Sequence, residues 1–266
     1  MPKFDLTGRV AVVTGGSQGI GRGIALALAE HGAHVAIVAR APEAVTGGTE
    51  RIHRPVEPVV QEIEEMGRRA LGVLADVRDP EQVQGMAARV TEAFGRVDIL
   101  VNNAGATWGE TFKMAPLLEL TPRDFQECLR LNLLSQFLCS TAFAQGMVER
   151  GDGCIVNLAS ISGQGPSPNN GAYGAAKAGV ISLTQTMAVE WAPVRVNAIA
   201  PGSVDHADRA AVHPYARGRA PVEQTTAVRR GGTVDDIAAA ALYLASDEAS
   251  YVTGTVISVN GGRQPG

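Results

Sequence analysis

The sequence predicts an α/β fold, a doubly wound, seven-stranded parallel sheet with helices on both faces. Three observations carry that prediction. Short β-branched runs alternate with longer helical stretches along the 266 residues. Those runs are apolar throughout rather than at every second position, as strands covered on both faces must be. The first run also passes straight through a glycine-rich turn into a helix. Parallel neighbours need right-handed crossovers, and these give an open, doubly wound sheet.

The elements follow in order. Val10 to Val13 is the first strand, and an Ala/Leu-rich helix runs from about Ile20 to Glu30, ended by His31-Gly32. His34 to Ala39 is the second strand. A Pro/Gly-rich stretch occupies 41–58, and the helix after it ends near Gly67. Leu71 to Ala75 is the third strand. Asp79-Pro80-Glu81-Gln82 then starts a helix, with an acid at the cap, Pro at the first helical position and Gln at the third. Ile99 to Asn102 is strand four. Thr121-Pro122-Arg123-Asp124 repeats the capped start and opens one long helix expected to run past Val148. Cys154 to Leu158, Arg195 to Ala200 and Val256 to Val259 are the last three strands, with helices at about Ala172 to Glu190 and Asp235 to Ala245. No repeat or linker divides the chain, so residues 1–266 are expected to form a single domain.

Composition narrows the function. Apolar residues make up 45%, which excludes a disordered chain. A net charge of -4 gives no general attraction to nucleic acid or to anionic membrane. Cys128, Cys139 and Cys154 form no C-x-x-C pair and read as reduced thiols. No apolar run approaches the ~20 residues that span a bilayer, and the first residues lack a signal-peptide core. A cytoplasmic location is the expectation. The five histidines show no metal-ligand spacing, and no metal site is expected.

Two constellations carry chemistry. Thr14-Gly15-Gly16-Ser17-Gln18-Gly19-Ile20-Gly21 lies between a strand and a helix. Gly15 can turn sharply, and Gly19 and Gly21 let a phosphate and the sheet approach the backbone. The helix start offers N–H groups and the positive end of its dipole to a pyrophosphate. Tyr173 and Lys177 stand at i and i+4 on one helix face. An ammonium beside a phenol favours the phenolate, so Tyr173 can act as a general acid or base near neutrality. Alone, each motif has an ordinary structural reading: a tight turn, and an exposed helix pair.

Taken together, the chain resembles the short-chain dehydrogenase/reductase family over nearly its whole length. The matching pieces occur in the family's order: Thr14 to Gly21, Asp76-Val77, Asn102-Asn103-Ala104-Gly105, Asn132, Ser160, Tyr173-Gly174-Ala175-Ala176-Lys177 and Pro201-Gly202. The resemblance implies a Rossmann-type domain that holds NAD(H) or NADP(H) and interconverts alcohols and carbonyls. It makes Tyr173 the acid/base, Lys177 its electrostatic partner and ribose anchor, Ser160 the group that binds the substrate oxygen, and Asn132 the holder of a relay water. Ser162, the nearest competitor of Ser160, has the wrong spacing. The cofactor-binding set implied is Gly15, Ser17, Gln18, Gly19, Ile20, Gly21, Arg40, Asp76, Val77, Asn103, Ala104, Gly105, Tyr173, Lys177, Pro201, Gly202 and Val204. Asp76 and Val77 would read the adenine, Asn103 to Gly105 would lie against adenosine and ribose, and Pro201, Gly202 and Val204 would border the nicotinamide. His206 stands where the family usually has a Thr that contacts the carboxamide.

Strand two ends Ile37-Val38-Ala39-Arg40. The position where an acid would bond the ribose 2′-hydroxyl is Ala39, and the Arg that follows suits a 2′-phosphate. NADP(H) is therefore favoured and NAD(H) is the alternative. The 41–58 stretch, with Arg51, His53 and Arg54, reads as a surface loop or as a flap over the adenosine end. Trp108 and Phe112 line the substrate mouth or simply pack, and His206 and His213 lie in the segment that covers substrate in this family. The partner expected is a small carbonyl or alcohol. A 3-oxoacyl chain on an acidic carrier is the alternative substrate, for which Arg209, Arg217, Arg219, Arg229 and Arg230 would form the entrance. A non-catalytic nucleotide-binding regulator is the rival from another class, and it would be favoured by a broken tetrad, which this chain does not have. A homotetramer is implied, built on the helices near 121–147 and 172–190.

Overall fold

The computed structural model describes residues 3–41, 54–109, 111–204 and 222–263. Its strands are β1 (Val10–Thr14), β2 (His34–Ala39), β3 (Ala70–Leu74), β4 (Ile99–Asn102), β5 (Cys154–Leu158), β6 (Arg195–Pro201) and β7 (Val256–Val259). They form one sheet in the order β3-β2-β1-β4-β5-β6-β7. Every neighbouring pair is parallel, with Val10 opposite His34, Asn102 opposite Asn157 and Pro201 opposite Val259.

The helices are α1 (Gly19–Glu30), α2 (Glu57–Glu65), α3 (Pro80–Phe94), α4 (Pro122–Leu129), α5 (Ser135–Arg150), α6 (Gly171–Glu190), α7 (Val222–Thr225) and α8 (Val234–Ala245). The expected start signals operate. The Asp79 carboxylate accepts the N–H groups of Glu81 and Gln82 at the head of α3. Thr121 with Asp124, and Thr233 with Asp236, close reciprocal capping boxes on α4 and α8. On one face of the sheet Ile24, Leu28, Ile63, Ile237 and Leu244 are buried against β1 and its neighbours. On the other, Met86, Val90, Phe143, Met147 and Met187 do the same. Burial on two faces explains the uninterrupted apolar runs of the central strands.

Several expectations need correction. The third strand starts at Ala70 and ends at Leu74, and as an edge strand it is only partly covered, with Leu74 46% exposed. The helix opened by Thr121 is not continuous. Residues Arg130–Leu134 form a π-helical turn between α4 and α5. His31 and His34, at the turn between α1 and β2, are half-buried and partnered. His31 Nδ1 lies 2.8 Å from the Ala27 carbonyl, and His34 Nδ1 accepts the Arg69 N–H at 3.0 Å while its ring stacks on Phe94.

Candidate active site

β1 and β4 lie side by side, but the chain adds strands outward from them in opposite directions. The loops leaving their C-terminal ends therefore part, and a crevice opens between them. The glycine-rich turn and Asn103 to Gly105 form its walls. Gly15 has φ 65°, which an L side chain rarely adopts, and its N–H donates to the Val38 carbonyl at 2.8 Å. A Cβ on Gly21 would overlap the Gly15 carbonyl and the Asn103 amide. Asn103 Nδ2 donates to the carbonyls of Thr14 (2.9 Å) and Gly15 (3.2 Å). Thr14 Oγ1 accepts the N–H groups of Asn103 (3.0 Å) and Ala104 (3.1 Å). These bonds lock the two turns together, so the Asn103 side chain is a brace within the protein. Above them, Ser17 is buried, Gln18 is exposed and Gly19 and Ile20 are half-buried. The Gln18 side chain makes no capping bond to α1, unlike the caps of α3, α4 and α8.

Along the same edge, Arg40 closes β2, and Asp76 and Val77 follow β3. The Arg78 guanidinium grips the Asp76 carboxylate, with Nε 2.9 Å from Oδ1 and Nη2 2.5 Å from Oδ2. Burial alone would raise the Asp76 pKa, but the hydrogen bonds and charge of Arg78, helped by the charge of Arg40, take it below the usual value. Sequence reasoning missed Arg78, although its place two residues after Asp76 is the signal. On the far side of the crevice, Pro201 ends β6, the Gly202 N–H donates to Val259, and Val204 is buried beside Gly232.

Four further residues gather around the ends of β4 and β5. Ser160 lies two residues past β5, and its Oγ accepts the Ser162 N–H at 3.1 Å. The loop that follows sits directly on α6. A Cβ on Gly163 would run into the Lys177 and Ala178 backbone, so this position admits only glycine at the observed separation. α6 carries Tyr173 and Lys177, with Lys177 Nζ 5.5 Å from the centre of the Tyr173 ring. Lys177 is 2% exposed, and Nζ donates to the Leu158 carbonyl at 2.7 Å. Burial pushes its pKa down from 10.5 to about 7, against a small opposing pull from Cys128.

Asn132 is fully buried on the π-helical turn. Its Nδ2 donates to the carbonyls of Ala106 (2.9 Å) and Cys128 (3.1 Å), and its Oδ1 accepts the Ala106 N–H at 2.9 Å. The side chain thus ties the loop after β4 to the turn. Gly105 fits in the remaining gap, where a Cβ would lie 2.8 Å from Asn132 Oδ1 and 3.5 Å from Lys177 Nζ.

A shallow surface cleft beside Tyr173 is lined by Thr107, Lys113, Cys128, Asn169 and Asn170. Phe112 is buried against Cys128, Ala172 and Tyr173, which is packing rather than a mouth. Cys154 donates to the Leu244 carbonyl, and burial raises its pKa, as an inert core thiol requires. Arg230 is paired to Asp236 at 2.6 and 2.8 Å. Arg51, His53, His206, Arg209, His213, Arg217 and Arg219 lie outside the described residues.

A family model described as enoyl-(acyl carrier protein) reductase matches residues 15–264. A short chain dehydrogenase/reductase of Aspergillus oryzae is 40% identical over 98% of this chain and 96% of its own length. The 3-oxoacyl-[acyl-carrier-protein] reductase of Vibrio cholerae is 37% identical over 97% and 98%. The chain belongs to the short-chain dehydrogenase/reductase family. Solved structures agree. A short-chain type dehydrogenase/reductase from Mycobacterium marinum superposes with TM-score 0.82 at 35% identity, covering 97% of this chain and 96% of the other. A 7α-hydroxysteroid dehydrogenase complexed with NADH and 7-oxo glycochenodeoxycholic acid gives TM-score 0.84 at 31% identity, covering 98% and 96%. This short-chain dehydrogenase/reductase is an oxidoreductase of a family that uses nicotinamide cofactors. Among its described residues, no helix is long and apolar enough to cross a membrane.

The buried amine gives a stability signature. The unfolded chain holds its Lys177 proton up to the ordinary pKa of 10.5, whereas the folded chain releases it near 7. The penalty for burying the charge is therefore fully present below pH 7 and fades as pH rises toward 10.5. Lys177→Met should stabilise the cofactor-free chain most at or below pH 7, with a gain that shrinks toward pH 10. Urea unfolding of both proteins across that range measures it, and a gain independent of pH would contradict the assignment.

Proposed function

We propose that this oxidoreductase interconverts a secondary alcohol and a ketone, or an aldehyde, with NADP(H) preferred and Tyr173 as the general acid/base. The observation that carries the reading is the buried Lys177 amine, 5.5 Å from the Tyr173 ring centre, at the C-terminal end of β5.

The residues present suit a dinucleotide. The head of α1 has no side-chain cap and no acid in its first turn, so its N–H groups and dipole are directed at the crevice. A Cβ on Gly19 would meet no atom within 4 Å, which leaves this turn open to a phosphate. Ser17, Gln18, Ile20 and Gly21 complete that cradle. Val77 and Asp76 would meet the adenine, and Ala104 and Gly105 the ribose. Pro201, Gly202 and Val204 would border the nicotinamide, whose C4 gives or takes hydride.

In reduction, Tyr173 donates its phenolic proton to the carbonyl oxygen, and in oxidation it takes the proton from the alcohol. Lys177 as an ammonium favours the phenolate and anchors the ribose hydroxyls. Ser160 Oγ already accepts a backbone N–H, which leaves its own proton to donate to the substrate oxygen. The Asn132 side chain is spent on Ala106 and Cys128, so it supports the proton relay by holding those backbones around Lys177. Tyr173→Phe should keep the fold and cofactor affinity while lowering turnover by at least ~10²-fold. Steady-state assays over a panel of ketones, sugars, steroids and acyl thioesters test this. Turnover within a few-fold of the parent would end the assignment.

Arg40 supports the cofactor preference, because it closes β2 where Ala39 replaces an acid. Arg78 also neutralises Asp76, whose charge Arg40 feels, and so lessens repulsion of a 2′-phosphate. Arg40→Ala should raise the KM for NADPH by ~10-fold, about 1.4 kcal/mol, and leave NADH nearly unchanged. Equal effects on both cofactors, or a parental preference for NADH, would refute it. The likeness to a 3-oxoacyl-carrier reductase favours a carrier-bound acyl chain as the second reading of the substrate.

The whole chain is read as one domain that assembles as a homotetramer through α4, α5 and α6. Leu134, Phe137 and Val148 recur on one exposed face of the α4–α5 region, Phe125 lies on α4, and Val189 is exposed on α6. Large apolar side chains gathered on long helices mark an interface. Sedimentation at micromolar concentration should give a tetramer, and a monomer that still turns over would show that those faces are not the contact.

A further inference from the structure

The reading of Lys177 leaves one buried group without a role. Gln136, the second residue of α5, is 4% exposed, and its Nε2 donates to the Leu158 carbonyl at 3.0 Å. That is the oxygen to which Lys177 Nζ donates at 2.7 Å. Leu158 is the last residue of β5, one step beyond the Asn102–Asn157 pair that ends the β4–β5 ladder. Its carbonyl therefore turns to side chains, and both of its lone-pair directions are taken. The orientation of the Gln136 amide follows, since the reverse would set two oxygens face to face. The cost of this arrangement is visible, because Gln136 Oε1 is buried with no hydrogen-bond partner. An apolar side chain of similar size would fill the same space without that orphan.

We propose that Gln136 is a positioning residue for Lys177: by sharing the Leu158 carbonyl it keeps the lysine amine from being held by that oxygen alone. Two donors on one acceptor each weaken the hold of the other. The Gln136 N–H also places the positive end of its dipole against the oxygen that would otherwise serve the ammonium undivided. The lysine is thereby held less tightly as an ammonium, so that it can pass a proton on and turn toward Tyr173 and the crevice. The other groups facing it are Tyr173 from α6, Asn132 from the π-helical turn and the Cys128 thiol from α4, which burial pushes up to about 11. Apart from the pull of the Cys128 thiol, none of these supplies a counter-charge, so the division of one carbonyl has leverage on the lysine.

The inference rests on the proposed role of Lys177, but its test needs no turnover. The sequence has only three lysines, Lys3, Lys113 and Lys177. Lysine labelled with ¹³C at Cε gives three signals in the full chain, and the Lys177 signal is the one lost in Lys177→Met. Its shift against pH reads the ammonium–amine equilibrium directly. Gln136→Leu removes the competing donor and should raise the Lys177 midpoint by about half a unit or more. Gln136→Glu, nearly isosteric, adds a counter-charge and should raise it by about one unit or more. Gln136→Leu should also melt no lower than the parent. Midpoints unchanged or lowered in both variants would overturn the proposal, as would a lower melting point with no shift, which is the pattern of a purely structural glutamine. If Gln136→Leu does not fold, Gln136→Met, which also removes the donor and is closer in shape, decides in its place by the same rise in the Lys177 midpoint. Loss of turnover in Tyr173→Phe without any Gln136 effect would sink this inference and leave the catalytic reading standing.

Discussion

Between β1 and β4 the order of strand addition reverses, and the helices leaving those strands are sent to opposite faces of the sheet. A crevice at that edge is a consequence of topology before any side chain is chosen. What the sequence must then do is keep the crevice from closing or drifting. It does so with backbone-directed bonds. Thr14 and Asn103 tie the first turn to the fourth, while Asn132 ties the loop after β4 to the π-helical turn. Each bond fixes a main-chain segment, so the surfaces offered to a ligand are positioned by elements of the sheet rather than by mobile side chains.

The same edge accepts an energetic burden that the rest of the core avoids. Beneath the crevice, Asn102 donates to Ser140 (2.8 Å) and Asn157 (2.9 Å), and Asn157 donates to Thr184 (2.9 Å). A polar chain in the centre of a sheet specifies register, because a slip of one residue would strand several donors in apolar surroundings. It still leaves Asn102 Oδ1 and Gln136 Oε1 without partners. Lys177 adds a buried amine with a lowered pKa. Features that weaken the fold thus collect at one place, as expected where structure serves chemistry.

How much of this was legible in the sequence depends on whether a signal was local. The caps of α3 and α4 were readable because a cap is a three-residue pattern, whereas the Thr233 cap of α8 shows only in the structure. The central strands were readable because burial on both faces leaves only apolar residues. The π-helical turn at Arg130–Leu134 was not, since nothing in Leu131-Asn132-Leu133 departs from helical composition. The extra residue is recognisable only when Asn132 is seen reaching Ala106, 26 residues away in the chain. The i, i+4 spacing of Tyr173 and Lys177 alone reads as an ordinary helix pair, and it points to chemistry only because family-like motifs surround it in order. Gln136 and Arg78 were missed for different reasons. Gln136 acts through a carbonyl that carries no residue identity, and the grip of Arg78 on Asp76 shows only once the loop after β3 is folded.

A division of labour follows from where these groups lie. The buried amine, the glycine turn and the bracing asparagines belong to strand ends and to helices packed on the sheet. The cleft beside Tyr173 adds to α4 and α6 a wall of loop residues such as Thr107, Lys113, Asn169 and Asn170. Loops tolerate change that strand ends cannot, because they make few of the bonds that hold the sheet. That is why structures at 31–35% identity still superpose at TM-scores of 0.82–0.84 while one of them carries a bile-acid ketone. The same scaffold also serves a relative named for acyl chains on a carrier protein. Proton and hydride handling need one geometry, whereas recognition of the rest of the substrate needs only a wall of suitable shape. The loop side of that cleft can therefore vary without touching Leu158, Lys177 or the residues that hold them.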